Sequence, residues 1–181
     1  MQLDSEKILD TLRDLACQLQ WDSPIEILLI GGAAGMLTGL LPPERITLDC
    51  DVMDYNPEKS QKALLDAAHY IAEKHGLPET WFNFKAMQMN ILPDGWKSRR
   101  VYVAEFAQLK IYAVSRLDLL AMKFYANRPQ DREDILHMKP ASDELDYIRK
   151  YLNMLRLPSR QADLDQVVSA LKLVDAIGVC K

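Results

Sequence analysis

The sequence predicts an α+β fold, a small mixed sheet flanked by helices with a helical extension at the C-terminal end. Three observations carry this. Residues 25–30, 46–53, 101–106 and 109–114 are short runs rich in Val, Ile, Leu and aromatic residues, the length and composition of strands. Around them, apolar residues recur at three- and four-residue spacing, the period of an amphipathic helix. The last forty residues carry helical periodicity alone.

Each element follows from local signals. Ile8, Leu12, Leu15 and Leu19 form one stripe, so residues 5–20 predict an amphipathic helix closed by the turn Trp21-Asp22-Ser23-Pro24. The first strand begins at Ile25. After Gly31-Gly32, residues 33–41 predict a short helix stopped by Pro42-Pro43, and residues 46–53 the next strand. Asn56 is placed to cap a helix over 57–75, with Pro57 in its first turn and Gly76 and Pro78 ending it; Leu64, Ala67, Ala68 and Ile71 form its buried stripe. Residues 101–106 and 109–114 predict a pair of strands with a turn or bulge between them. Ser115-x-x-Asp118 has the form of a capping box opening the helix that carries Leu119, Leu120, Lys123 and Phe124. Two further stripes follow: Leu145, Ile148, Leu152 and Leu155, then, past Pro158, Leu164, Val167, Val168, Leu171, Val174 and Ile177. The expected division is a domain over 1–138 and a helical extension over 139–181 packed on it.

Composition narrows the function classes. With 181 residues and 49% hydrophobic content, the chain can bury a full core. A formal charge of -4 argues against a broad nucleic-acid-binding face, although Lys97, Arg99 and Arg100 form a local basic patch. Cys17, Cys50 and Cys180 are far apart and include no Cys-x-x-Cys, which excludes a zinc knuckle and argues against a disulfide framework. No run approaches the ~20 apolar residues of a membrane span, and the N-terminal residues lack the pattern of an export signal. A reducing cytoplasm is the expected setting, with no membrane partner. His69, His75 and His137 show no zinc spacing, and Met36, Met87, Met89 and Met122 read as core filler.

The chemistry concentrates between residues 27 and 53. On a strand, Asp49 and Asp51 would share a face, with Cys50 opposite. Neighbouring carboxylates repel unless a positive group stabilises them, and a divalent cation is the natural one. The plain alternative is a pair of loop-solvating acids. Gly31-Gly32, placed after the apolar run, favours the cation, because glycines let backbone approach a phosphate closely.

Leu28-Leu29-Ile30-Gly31-Gly32 followed by Thr47-Leu48-Asp49-Cys50-Asp51-Val52-Met53 resembles the signature of the nucleotidyltransferase superfamily with the polymerase-beta-like fold. Trp81-Phe82-Asn83, Ser115 to Lys123 and Arg128 to Ile135 are similar to uncharacterised bacterial nucleotidyltransferases related to toxin-antitoxin and abortive-infection proteins. The resemblance covers roughly residues 25–138. It implies transfer of a nucleoside monophosphate from a nucleoside triphosphate to an acceptor, a protein or an RNA among the candidates, and a toxin-antitoxin partner chain. It also implies magnesium or manganese held by Asp49 and Asp51, and nucleotide contacts from Gly31, Gly32, Thr47 and Lys123. Active relatives supply a third carboxylate; Glu105, alternating with Val101 and Val103, is the best candidate, against the plain reading of an edge-strand acid facing water.

Other readings compete. Lys123 reaches phosphate in the functional reading and snorkels to water in the plain one. Asp131 and Asp134, with Arg128 and Arg132 in reach, read as a structural ion-pair network. Trp81, Phe82 and Phe84 read as core, with base stacking the alternative. A dinucleotide-binding unit fails at its first glycine, since position 30 is Ile, and a Walker loop fails because no Gly-Lys-Ser or Gly-Lys-Thr follows. The remaining alternative is a non-catalytic binding module on the same fold.

Overall fold

The computed structural model describes residues 2–160 and 162–179, so Cys180 lies outside the described residues. The chain forms two compact units, one of residues 1–87 and 100–114, the other of residues 88–99 and 115–181. The expected extension over 139–181 lies in the second unit, together with helices that the sequence reading assigned to the first domain.

The first unit is built on a mixed five-stranded sheet. Its strands are β1 (Ile25–Leu29), β2 (Cys50–Asn56), β3 (Phe82–Asn83), β4 (Val101–Phe106) and β5 (Leu109–Ala113), in the order β3-β2-β1-β5-β4. β1 runs antiparallel to β2 and parallel to β5; β2 is parallel to β3, and β4 antiparallel to β5. Its central strand, β1, is buried at every position except Glu26, which accounts for a nearly unbroken apolar run. Glu26 accepts a hydrogen bond from Arg100 Nη1 at 2.7 Å.

Helix α1 (Ser5–Gln18) starts where the Asp4 carboxylate accepts from the Lys7 N–H at 2.9 Å, and its Ile8, Leu12 and Leu15 are fully buried. Helix α3 (Gln61–His75) ends on Gly76 in the left-handed conformation, as the sequence indicates, and buries Leu64, Ala67, Ala68 and Ile71. Trp81 and Phe82 are core residues, and Trp81 Nε1 donates to the Ala68 carbonyl at 2.9 Å. Burying side chains of this size stabilises by roughly 1.5–3 kcal/mol each.

Three boundaries differ from expectation. Helix α2 (Gly31–Leu37) includes both glycines and ends at Thr38 and Gly39, where the N–H groups of Leu40 and Leu41 reach the Gly35 carbonyl, before the prolines are met. β2 begins at Cys50 rather than at residue 46. Thr47 instead pairs with Leu3 in an isolated bridge, leaving Asp49 in the segment leading into the strand. Asn56 is the last residue of β2, and a 3-10 turn over Glu58–Ser60 precedes α3, so Asn56 does not cap that helix.

The second unit is helical: α4 (Trp96–Arg99), α5 (Arg116–Ala126), α6 (Pro129–Met138), α7 (Ser142–Met154) and α8 (Leu164–Val179). α5 is its centre, buried at every residue from Asp118 to Tyr125. α7 buries Leu145, Ile148 and Leu152, and Leu155 beyond it, as its stripe indicates. In α8 the buried line is Val167, Ala170 and Val174, whereas Leu164 and Val168 are exposed. Among the described residues, no helix is long and apolar enough to cross a membrane.

Candidate functional site

The site begins where β1 runs out. Ile30 is extended, and its N–H donates to the Asp51 carbonyl at 3.0 Å. Gly31 then turns into α2 with φ +66°, a left-handed conformation that costs an ordinary L-residue about 1–2 kcal/mol. The position also lacks room: a Cβ there would lie 3.3 Å from Asp51 Oδ2. At Gly32 a Cβ would lie 3.3 Å from Thr47 Oγ1 and 3.7 Å from Arg45 Nη2. The two glycines thus let an acid, a hydroxyl and a guanidinium approach the turn between β1 and α2.

The two aspartates reach this turn differently. Between β1 and β2 the register shifts beside Leu29 and Val52, a bulge one residue from Asp51. Asp51 is the second residue of β2, opposite Asn83 of β3, and its Oδ1 accepts from Asn83 Nδ2 at 3.0 Å. Asn83 is itself fixed, since its Oδ1 accepts from the Lys85 N–H at 3.1 Å and its amide also donates to the Thr80 carbonyl at 3.3 Å. Asp49, one residue ahead of the strand, has its Oδ1 3.2 Å from the Thr47 hydroxyl, which donates to it. Between them Cys50 is fully buried. Burial foremost, then the charges of Asp49 and Asp51, pushes its thiol well above the usual cysteine range, so it stays protonated.

Gly31, Gly32, Thr47, Asp49 and Asp51 are therefore gathered in one place. Glu105 is not. The sheet order puts β1 and β5 between β4 and β2, a span of roughly 14 Å at about 4.8 Å per strand. Along the strands, Glu105 aligns through Lys110 and Glu26 with Asn56, at the opposite end of β2 from Asp51. Its exposed carboxylate lies 3.9 Å from Lys110 Nζ, an edge-strand pair facing water.

Lys123 belongs to the second unit and is committed there. It is 3% exposed, and its Nζ donates to Asp131 Oδ1 at 3.2 Å and to Asp134 Oδ2 at 2.6 Å; Arg128 Nε donates to Asp131 Oδ2 at 2.7 Å. Arg132 instead donates to Asn127. Lys123 thus neither snorkels to water nor presents an unoccupied ammonium. The expected basic patch is likewise taken up: Arg99 is bound to the buried Asp118, Arg100 to Glu26, and Lys97 lies over the Trp96 ring. Ser115 does accept from the Asp118 N–H, but the Asp118 carboxylate serves Arg99.

Two members of the site had no role in the sequence reading, Asn83 and Arg45. Asn83 arrives through a two-residue strand, too short for periodicity to mark, although it stands within Trp81-Phe82-Asn83. Arg45 lies inside the segment joining the two motifs, and its signal is the alternation Arg45, Thr47, Asp49.

The donor set suits a hard cation of the magnesium type, which takes one or two carboxylates and completes its shell with water and substrate phosphate. Asp51 Oδ2 lies against Gly31, at the turn between β1 and α2. Among the described residues, no group of three or more His, Cys, Asp and Glu side chains is placed to hold a metal by itself. Phosphate oxygens would have to supply the rest.

Residues 7–157 match the model of a family described as a nucleotidyltransferase of unknown function, DUF6036. No curated protein and no solved structure matches the chain. On a match that covers most of its length, with the Gly-Gly turn and the paired aspartates inside the matched span, the chain belongs to this nucleotidyltransferase family.

Proposed function

We propose that the protein transfers a nucleoside monophosphate from a nucleoside triphosphate to an acceptor hydroxyl. The observation that carries this reading is the juxtaposition at the β1–α2 turn: Asp51 Oδ2 packed 3.3 Å from where a Gly31 Cβ would stand, with Asp49 and Asp51 each held by a side-chain hydrogen bond. In the reaction the acceptor oxygen forms a bond to the α-phosphorus as the bond to pyrophosphate breaks. Asp49 and Asp51 hold magnesium or manganese, and Thr47 and Asn83 keep those carboxylates oriented. When bound, the cation neutralises phosphate charge and orients the α-phosphate for attack. The left-handed Gly31 and the unsubstituted Gly32 let the polyphosphate lie against backbone.

An RNA or protein hydroxyl as acceptor, a toxin-antitoxin partner chain and a cytoplasmic setting belong to the same proposal. Free Cys17 and Cys50 thiols accord with a reducing compartment. A second reading, a binding module without transfer, is favoured by one observation: no third acid joins Asp49 and Asp51 among the described residues.

A labelled triphosphate separates the two. With label on the α-phosphate, the transferase reading predicts covalent label in RNA or protein, absent when the label is on the γ-phosphate. Asp49→Ala and Asp51→Ala should abolish it at unchanged melting temperature. Retained turnover in both variants would contradict the assignment, and magnesium-dependent binding without transfer would favour the module.

A further inference from the structure

A cleft of about 480 Å³ opens in the first unit between the C-terminal end of α1 and one stripe of α3. Its shape follows from side-chain size. Ala63 and Ala67, one helical turn apart, present methyl groups where the neighbouring positions carry Lys62, Asp66 and Tyr70, so the middle of the stripe is hollow. Trp21, in the turn after α1, lines the other side. The cleft stands apart from the aspartate pair. Lys59, at its edge, lies in the 3-10 turn that follows Asn56, the last residue of β2, whereas Asp51 is the second, roughly 17 Å back along the strand at about 3.4 Å per residue.

The walls are aromatic and the edge is cationic. Tyr70 is 51% exposed, and Trp21 is half-buried. Lys59 Nζ stands 5.8 Å from the centroid of the Trp21 ring, within cation–π range, and meets no carboxylate among the described residues. Lys62 is different, since it pairs with Asp66 one turn on. Two ammoniums and one carboxylate leave a single positive charge at the cleft, and that charge sits over an aromatic face. Trp21 Nε1 is buried and meets no acceptor among the described residues, so no hydrogen bond ties the indole in place.

These features select a ligand by its chemistry. A flat apolar body laid between Trp21 and Tyr70, over the alanine methyls, is covered on both sides and leaves water. A cation would meet Lys59 with like charge. A polyphosphate carries more negative charge than one lysine balances and would face Asp66. A monoanion on an aromatic body satisfies both parts, and the volume falls within the roughly 300–1,000 Å³ of small-molecule sites.

We propose that this cleft is a second ligand site, one that takes a small aromatic carboxylate with its ring against Trp21 and its charge on Lys59. The site is independent of the nucleotide reading and stands or falls without it.

Indole-3-acetate, indole-3-acetamide and tryptamine share one ring and differ in charge, so together they test the assignment. Titrations of the full chain are followed by nitrogen–proton NMR at the indole N–H of Trp21, Trp81 and Trp96, with Trp21→Phe identifying the Trp21 signal. Indole-3-acetate should move the Trp21 signal saturably and further than the other two, and affinity should fall from the acetate to the acetamide to tryptamine. Lys59→Gln, at an exposed position, should weaken the acetate by about two- to fivefold, the range for one exposed charge pair, and leave the acetamide unchanged. Ala63→Phe, which fills the hollow, should abolish binding of both, and Lys150→Gln, an exposed lysine of the helical unit, should match wild type. A saturating magnesium–nucleoside triphosphate should not displace the acetate. No movement of the Trp21 signal at millimolar indole-3-acetate overturns the inference, as do equal affinities for the three compounds or displacement by the triphosphate. Unchanged acetate affinity in Lys59→Gln overturns it equally, and decides the matter should Ala63→Phe fail to fold.

Discussion

Aspartates gather in both units, and the two gatherings are built on different principles. In the helical unit Asp118 is fully buried and receives Arg99 Nη2 at 2.6 Å, the Ser115 hydroxyl at 2.7 Å and the Tyr147 hydroxyl at 3.0 Å. Burial foremost, with the Asp118 charge, pushes the Tyr147 phenol up to about 12, so it remains a donor. Asp131 and Asp134, each 3% exposed, share the Lys123 ammonium. Each of these acids meets a cation of its own unit. In the sheet unit Asp49 and Asp51 are only partly buried, and a hydroxyl and an amide orient them. An acid cluster sealed from water with its own cations reads as architecture, and one left half-buried beside a glycine turn reads as a site.

The contrast is sharpest at Lys123. Lys123→Met leaves two buried carboxylates without their ammonium, and breaking buried pairs by removing one partner costs roughly 3–5 kcal/mol. Urea denaturation should show that loss. A variant within about 1 kcal/mol of wild type would mean that the network is not structural.

Acid provides the next comparison. Burial raises the Asp131 pKa, but the Arg128 hydrogen bond and the Lys123 and Arg128 charges outweigh it and hold the carboxyl below the ordinary aspartate value of 3.8. A depressed folded pKa gives stability that is fully present above 3.8 and lost as pH falls from there through the folded value. The urea midpoint of wild type should therefore fall more steeply than that of Asp131→Asn below about pH 4. Parallel curves would remove Asp131 from the account.

A smaller effect belongs to the turn. Gly31→Ala forces a Cβ into the left-handed region 3.3 Å from Asp51 Oδ2, at a stability cost of about 1–2 kcal/mol, and should also weaken triphosphate binding. Unchanged affinity would mean that the close approach serves only the fold. Smallest of all, Glu105→Gln should leave magnesium and triphosphate binding as in wild type, because β1 and β5 separate β4 from β2. Loss of binding there would contradict the site as drawn.

How far the sequence foretold these arrangements depends on the range of the contacts. α1, the Gly76 cap of α3 and the antiparallel strands β4 and β5 rest on local periodicity and turn chemistry, and were legible. The start of β2 was not, because Thr47 pairs with Leu3, a partner that no spacing reveals. Gly31, Gly32, Asp49 and Asp51 could be proposed together because they flank one short helix. Asn83 could not be given its role, since it meets Asp51 only through a two-residue parallel pairing. Lys123 was correctly placed on a helix, but its commitment to Asp131 and Asp134 depends on how α6 packs on α5, a tertiary fact.

The central claim is that the Asp49–Asp51 turn holds a nucleoside triphosphate through a divalent cation. Its most direct test is calorimetric titration of each of the four ribonucleoside triphosphates, with and without magnesium, into wild type and Asp51→Ala. The account predicts magnesium-dependent binding of at least one triphosphate by wild type and its loss in the variant. Binding that survives in Asp51→Ala, or no binding of any triphosphate by wild type, would contradict it.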